Sequence, residues 1–420
     1  MEEEFEETMD STESKALEDT EEDSYDDPHA GTIVGLVKDK FSKASTARDT
    51  EERRWIQAYR NYRGLYGPDV QFTSTEKSRV FVKVTKTKVL AAYGQIVEVL
   101  FGNNKFPITI EPTTLPEGVA SSVHFESDKQ LQDATKDTGE KPELLPGETI
   151  PQLQERLAGL KDKLEPVMDI LKEGPGTTPT SITIHPAMVA AKKMEKKIHD
   201  QLEESNANKQ LRVAAFECAL FGTGVMKGPF AIDKEYPNWS EEGEYTPTIK
   251  TIPQTSSVSI WNFYPDPDAM NMDEAEYIIE RHKMSRSQIR GLKNRPFFRS
   301  NSIDLAISMG ESYTKEWWEQ AMEDDANEAN SQRFEVLEFW GNVDTEILQE
   351  HDVDIPKELK DFDQVSVNIW VCNDQVLRLV MNPFTPSLIP YYSVPYEINP
   401  YNIFGVGLAE NMDDTQTLMN

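Results

Sequence analysis

The sequence predicts an α+β fold, with long helices and a β-rich segment in largely separate stretches of chain. Three observations carry this. Apolar residues recur at helical spacing from Ile33 to Leu100. From Val225 the period shifts towards two, the pattern of half-buried strands. Strand and helix signals do not alternate regularly, as the units of a parallel sheet would require.

Residues 1–30 hold 14 acids against the single Lys15 and supply 13 of the chain's 31 net negative charges. Such a segment cannot bury enough surface to fold, so a disordered acidic tail is expected. Residues 31–112 form an N-terminal helical segment. One helix is expected over 33–63, where Ile33, Leu36, Val37 and Phe41 make an apolar stripe that Trp55, Tyr59 and Tyr62 continue. Gly64 and the Gly67-Pro68 pair stop it. A second covers roughly 80–101 behind Val82, Val89, Ala92, Tyr93, Ile96, Val99 and Leu100, and 105–112 reads as a short strand between prolines.

Residues 113–150 are polar and read as irregular. In 151–220, Leu153, Leu157, Leu160, Leu164, Val167 and Leu171 recur at alternating spacings of four and three, a narrow heptad seam that Pro166 should kink. A turn-rich bridge at 173–180 leads to a long helix over about 186–220, lined by Met194, Ile198, Leu202, Leu211, Ala215 and Cys218. A helical hairpin packed on the body accounts for this segment; a projecting antiparallel coiled coil touching a neighbouring subunit is the alternative.

The β-rich segment spans 221–381. Strands are expected in "VMKGPFAI", "TPTIKTI", "SVSIWNFYP" and "EYIIERHKM", the last feeding a helix whose Ser285–Gln288 stretch is a capping box. "RFEVLEFWGNV" reads as a strand with its two acids, Glu335 and Glu338, facing outward. "QVSVNIWVCNDQVLRLVM" alternates cleanly and folds back at Asn373-Asp374, a β-hairpin. Residues 382–420 open with five prolines before position 401, an extended connector, and close on the start of a helix.

The same residues argue against several classes of function. There is no apolar run of 18 residues, so no membrane span is expected, and the acidic N-terminus is no signal peptide. Cys218 and Cys372 lie far apart in apolar segments and read as buried thiols. The six histidines show no zinc-ligand spacing. "YPDPDAMNMDEAE", with Asp266, Asp268 and Asp273, lacks the glycine and the glutamate of a calcium loop and reads as a proline-set turn, an incidental divalent site being the alternative. No catalytic residue, metal ligand or cofactor is therefore expected.

Two glycine motifs look like phosphate loops. "FGTGVMKG" lacks the phosphate-loop spacing and precedes a strand rather than a helix, so Gly222 or Gly224 reads as a left-handed helix cap. "FGVGLAE" does precede a helix, but Glu410 replaces the third glycine and no apolar strand leads in. Gly405 and Gly407 read as a flexible corner. Basic clusters at Lys83, Lys86 and Lys88, at Lys192, Lys193, Lys196 and Lys197, and at Arg281, Lys283, Arg286, Arg290, Lys293 and Arg295 read as solvated or subunit-pairing faces.

In order, "RRWIQAYRNYRGLYG", "SRVFVKVTKTKVLAAYGQIVEVLFGNNKFPITIEP", "LRVAAFECALFGTGVMKGPF", "FYPDPDA", "AEYIIERHKMSRSQIRGL", "RFEVLEFWGNVD" and "PYEINPYNIFGVGLAENMDDTQTLMN" resemble the portal (head-to-tail connector) proteins of tailed bacteriophages, of the short-tailed type. The resemblance covers most of residues 33–420. It rests on order and spacing, above all on "FGTGVMKG" followed some 180 residues later by the Gly-x-Gly-to-helix junction.

The resemblance implies a homo-oligomeric, dodecameric ring in the virion, at one capsid vertex, assembled in the host cytoplasm. Its implied partners are the major capsid protein, the terminase motor, tail adaptor proteins and the double-stranded DNA that passes through without sequence specificity. It implies no enzyme activity and no membrane. The 33–101 helices, the 152–220 helical hairpin and the β-rich 225–381 region would form the wing, and Glu410, Asp413, Gln416 and Asn420 would lie on the polar face of the helix entering the stem. Family members continue into stem, clip and crown, and no stop signal follows Asn420, so further chain is expected beyond it. The rival readings are another capsid or tail adaptor protein of the virion, and a nucleotide-dependent enzyme using either glycine motif.

Overall fold

The computed structural model describes residues 30–68, 70–72, 80–102, 106–113, 123–125, 182–184, 186–239, 245–322, 332–350, 362–384 and 389–420. The acidic segment 1–29, the heptad stretch and the bridge at 173–180 lie outside them. The described chain is mixed α and β, as the patterning predicts, and its sheets are antiparallel. It divides into two compact units, one of them Asn103–Glu204 and the other Met1–Gly102 with Ser205–Asn420.

Helix α1 (Ala30–Arg63) is a single 34-residue helix. Its two apolar stripes bury in two different clusters, Ile33, Val34 and Val37 in one, Trp55, Ile56 and Ala58 in the other. Gly64 stops it with φ +79°, its N–H donating to the Arg60 carbonyl at 2.7 Å. Helix α2 (Val84–Phe101) follows in the same unit.

In the Asn103–Glu204 unit, β1 (Val123–Phe125) pairs antiparallel with β2 (Ile182–Ile184), so part of the stretch expected to be irregular is strand. The strand expected at 105–112 is absent from its described residues, where the Ile110 N–H donates to Glu195 on α3 (Pro186–Glu204) instead of to a ladder. The single helix expected over 186–220 breaks at Asn206, whose φ of +55° starts a new helix, α4 (Ala207–Phe221), in the other unit. Asparagine is among the few residues that tolerate this left-handed conformation.

Strands β3 (Thr223–Tyr236) and β4 (Thr248–Val258) form a long antiparallel pair. The strand expected through "SVSIWNFYP" is interrupted by a 3-10 turn at Ile260–Asn262, because buried Arg48 of α1 binds the carbonyls of Ile260, Trp261 and Phe263. Beyond it, β5 (Phe263–Pro265), β6 (Tyr277–Met284), β7 (Phe334–Asp344), β8 (Gln364–Cys372) and β9 (Gln375–Met381) form a five-stranded antiparallel meander. The hairpin turns at Asn373, φ +52°, as predicted. Helix α5 (Arg286–Gly291) carries the expected capping box. Helices α6 (Ser300–Ser308), α7 (Trp317–Met322) and α8 (Thr345–Glu350) were not signalled by periodicity.

Part of the proline-rich connector is strand: β10 (Tyr391–Pro395) adds to β3 to give the order β10-β3-β4. Proline is tolerated there because the strand lies at the sheet's edge. Helices α9 (Leu408–Asn411) and α10 (Asp413–Met419) end the chain. Strand alternation sorts the meander's two faces. Ile279, Leu337, Phe339, Ile369 and Val371 pack with α1, while Ile278, Glu280, Glu338 and Trp340 lie on the opposite face.

Candidate functional site

The two glycine motifs, 182 residues apart for Thr223 and Gly405, form one contact. Gly222 caps α4 with φ +96°, and a Cβ there would meet the Gly405 carbonyl oxygen at 2.4 Å and the Gly407 nitrogen at 2.6 Å. The Gly405 N–H donates to buried Thr223 Oγ1 at 2.8 Å, and the Tyr396 N–H donates to the Gly222 carbonyl at 2.8 Å. Neither Gly405 nor Gly407 has a positive φ, and each Cβ position is blocked by backbone, so both are points of close backbone approach rather than the flexible corner expected. Gly224 serves the same end, its missing Cβ making room for the Ala214 carbonyl of α4. The aromatics before the glycines join the contact. Phe404 packs edge-on to Trp55 at 5.0 Å, Phe221 to Trp261 at 5.5 Å, and the two tryptophans meet at 5.3 Å.

From this corner α9 and α10 run back over the N-terminal helices. Arg54 of α1 grips Glu410 with two hydrogen bonds, 2.9 and 2.6 Å. Asp413 accepts from Asn61 at 2.6 Å and from Gln57 at 3.2 Å. Gln416 is 1 % exposed, its Oε1 accepting from Thr85 N–H and Oγ1 at 3.0 Å each, while its Nε2 donates to the Val82 carbonyl. Asn420 Oδ1 accepts the Val82 N–H at 2.8 Å. The polar face expected to continue along a stem helix is thus spent on α1 and α2.

A second assembly went unpredicted. Glu280 of β6 lies directly across from Glu338 of β7, and Glu338 across from Trp370 of β8. Two buried carboxylates facing each other repel unless a cation intervenes. Lys227 of β3 supplies it, its ammonium 2.7 Å from Glu280 and 2.5 Å from Glu338. His282 places Nε2 2.7 Å from Glu338 and Nδ1 3.6 Å from Glu280, and stacks flat on Trp370 at 5.1 Å. Trp340 donates to Glu338 and Tyr391 to Glu280, each at 2.7 Å.

Burial opposes charge on both Glu338 and Lys227. For Glu338, Lys227 and His282 outweigh it and hold the carboxyl well below its usual range; for Lys227 the two glutamates outweigh it and raise the ammonium. Glu338, read from the sequence as outward-facing, is 2 % exposed, because the meander's second face is covered by β3 and β10. Arg281, assigned to a solvated basic face, is 2 % exposed and bound to Glu335 at 2.5 Å.

Glu280, His282 and Glu338 are the one group among the described residues with donors close enough, within 4.8 Å, to hold a metal ion. Lys227 already provides the positive charge such an ion would bring, so the set works as a closed ion-pair network between the two sheets. The legible signal was Glu280 and His282 two apart on one strand; their partners on β3, β7 and β10 were not. The same geometry turns Lys227 inward, where its ammonium is held between two carboxylates and is not offered to a phosphate at the "FGTGVMKG" turn. Both cysteines are buried, which pushes their thiols up, to about 11 for Cys218 and about 12 for Cys372. No helix among the described residues is long and apolar enough to cross a membrane. The chain matches no protein-family model and no curated protein.

Proposed function

We propose that the chain is a structural subunit of a bacteriophage portal ring, chiefly its wing, forming part of the channel wall and docking platform at one capsid vertex. The interlocked glycine turns carry this reading. The pair of motifs on which the resemblance most depends is a single buried contact in the fold, so their order and spacing follow from one structural need. The clamp of α9 and α10 onto the N-terminal helices supports it too, since it ties the Gly-x-Gly-to-helix junction of the resemblance to the helices with which the resemblance begins. The acidic balance, 74 acids against 43 basic residues, suits a wall along which a duplex slides without a deep binding minimum. Lys227, sealed between two glutamates, weighs against the nucleotide-dependent enzyme.

Mass photometry and negative-stain microscopy of the full chain test the proposal. A hollow ring of about twelve copies, the closed cyclic assembly that the resemblance implies, is expected. A chain that stays monomeric at every concentration, or that hydrolyses ATP as a monomer, overturns it.

A further inference from the structure

Glu280, Glu338, Trp370 and Arg378 form one row across the meander's second face, from β6 to its edge strand β9. Lys227 neutralises the two glutamates, but Arg378 has no such partner. It is half-buried, and its Nε is sealed from solvent without a hydrogen-bond acceptor. Among the described residues no carboxylate pairs with its guanidinium. Burial above all, and then the like charge of Arg295, pull that guanidinium below its ordinary range although Glu338 opposes them. Glu338 is itself already taken by Lys227 and His282. Arg295 is exposed just past the 3-10 turn that follows α5. The backbone holds Arg378 in this position. The β8–β9 register shifts beside it and leaves Leu377 as an extra, fully buried residue, a bulge of the kind that re-aims side chains at sheet edges. The strap 296–299 then closes the edge: Phe298 forms an antiparallel bridge with Arg378, and the Arg299 N–H donates to the Leu377 carbonyl at 2.9 Å. The Phe298 ring lies 5.4 Å from the Arg378 guanidinium and packs edge-on to Trp370 at 5.3 Å. Phe297 is 72 % exposed with φ +67°, a left-handed conformation that a bulky residue adopts only where its surroundings impose it.

We infer that Arg378 and Arg295 form a binding site for the phosphate group of a small ligand, at the meander's edge and apart from both glycine motifs. The inference stands independently of the ring reading. Two guanidiniums close enough to repel each other supply two positive charges, which suits the dianion of phosphate or of a phosphate monoester better than a single carboxylate. Each also presents its donors in a planar fork that matches phosphate oxygens. Arg378 has the most to gain, because a half-buried cation without an acceptor carries a desolvation cost that a bound anion offsets. Charge selects against a long polyanion. On a chain of net charge −31 the surroundings repel a duplex, while a single phosphate meets chiefly the local pair of cations. Phe297, two residues from Arg295, offers an aromatic face on which a nucleobase would stack.

Isothermal titration calorimetry of the full chain, with inorganic phosphate and with deoxyadenosine monophosphate at constant ionic strength, tests the site. Saturable binding is expected, weakened at least tenfold in Arg378→Met and in Arg295→Met. Arg290→Met, on the exposed side of α5, should bind as the parent does. Thermal unfolding separates ligand binding from a structural role. A half-buried guanidinium without its anion is a liability, so Arg378→Met should melt no lower than the parent in chloride. Saturating phosphate should raise the parent's melting temperature by about 2–4 °C and leave Arg378→Met unmoved. Tighter binding of the nucleotide than of phosphate, lost in Phe297→Ala, supports the site with a nucleotide as its ligand; equal affinities support it with the free ion. No saturable binding of either probe overturns the inference, as does binding that both arginine variants retain. A lower-melting Arg378→Met beside parent-like binding in Arg295→Met marks Arg378 as structural and overturns it too. Self-association lost in both variants without phosphate binding overturns it in favour of a carboxylate from a second copy. Preference for duplex DNA over both probes overturns it in favour of a grip on the DNA backbone.

Discussion

Lys227 shows how one residue's surroundings decide its role. In sequence it ends a glycine-rich turn; in the fold its ammonium sits between Glu280 and Glu338. Lys227→Met leaves two buried carboxylates facing each other, and a loss of about 3–5 kcal/mol is expected by urea unfolding. Changing Lys227, Glu280 and Glu338 together to apolar or amide residues should cost less than Lys227→Met alone. The network also sets a pH dependence. An unfolded Glu338 titrates near 4.5, while the folded carboxyl is held well below that. The unfolded state therefore takes up the proton first as pH falls. Its stabilisation is complete above the unfolded value and is lost as pH drops below it towards the folded one. Urea midpoints measured from pH 3 to 7 should fall below about pH 4.5, and with a shallower slope in Glu338→Gln.

At the scale of elements, the corner between α4, β3 and α9 is held by contacts that only glycine permits. Gly222→Ala combines a left-handed backbone with a Cβ 2.4 Å from the Gly405 oxygen, so a loss of at least about 2 kcal/mol in thermal unfolding is expected. Gly35, exposed within α1, is the control, since a methyl group added there would meet nothing within 4 Å. Gly35→Ala should be neutral or stabilising by up to about 1 kcal/mol. Gln416→Ala strips partners from Thr85 and Val82, and a loss of about 1–3 kcal/mol is expected. Hydrogen exchange should then rise in α9 and α10 well before it rises in the meander.

At the scale of the whole molecule, fold and surface answer to different parts of the sequence. The five-stranded meander and the β10-β3-β4 sheet are joined by the Lys227 network and the aromatic cluster around Trp55 and Trp261. That framework is built from residues after position 29. Removing residues 1–28 should leave the melting temperature within about 2 °C, as differential scanning calorimetry can show. A large drop in melting temperature would mean that the acidic segment contributes to the fold of its own chain.

The α+β class, the long helix from Ala30, the capping box at Ser285, the hairpin at Asn373 and the left-handed cap at Gly222 were all legible in the sequence. Each depends on periodicity or on the preference of one residue for one backbone state, which neighbours in sequence suffice to set. The break at Asn206, the strand in the proline-rich connector and the burial of Glu338 and Arg281 were not legible. They depend on which surfaces meet across long separations, such as β10 finding β3 or Arg48 claiming three carbonyls beyond β4. So too with the glycine motifs. Local sequence determined that they were turns, but only the packed chain decided that each turn exists to receive the other, because backbone can approach backbone that closely only where both sides lack a Cβ.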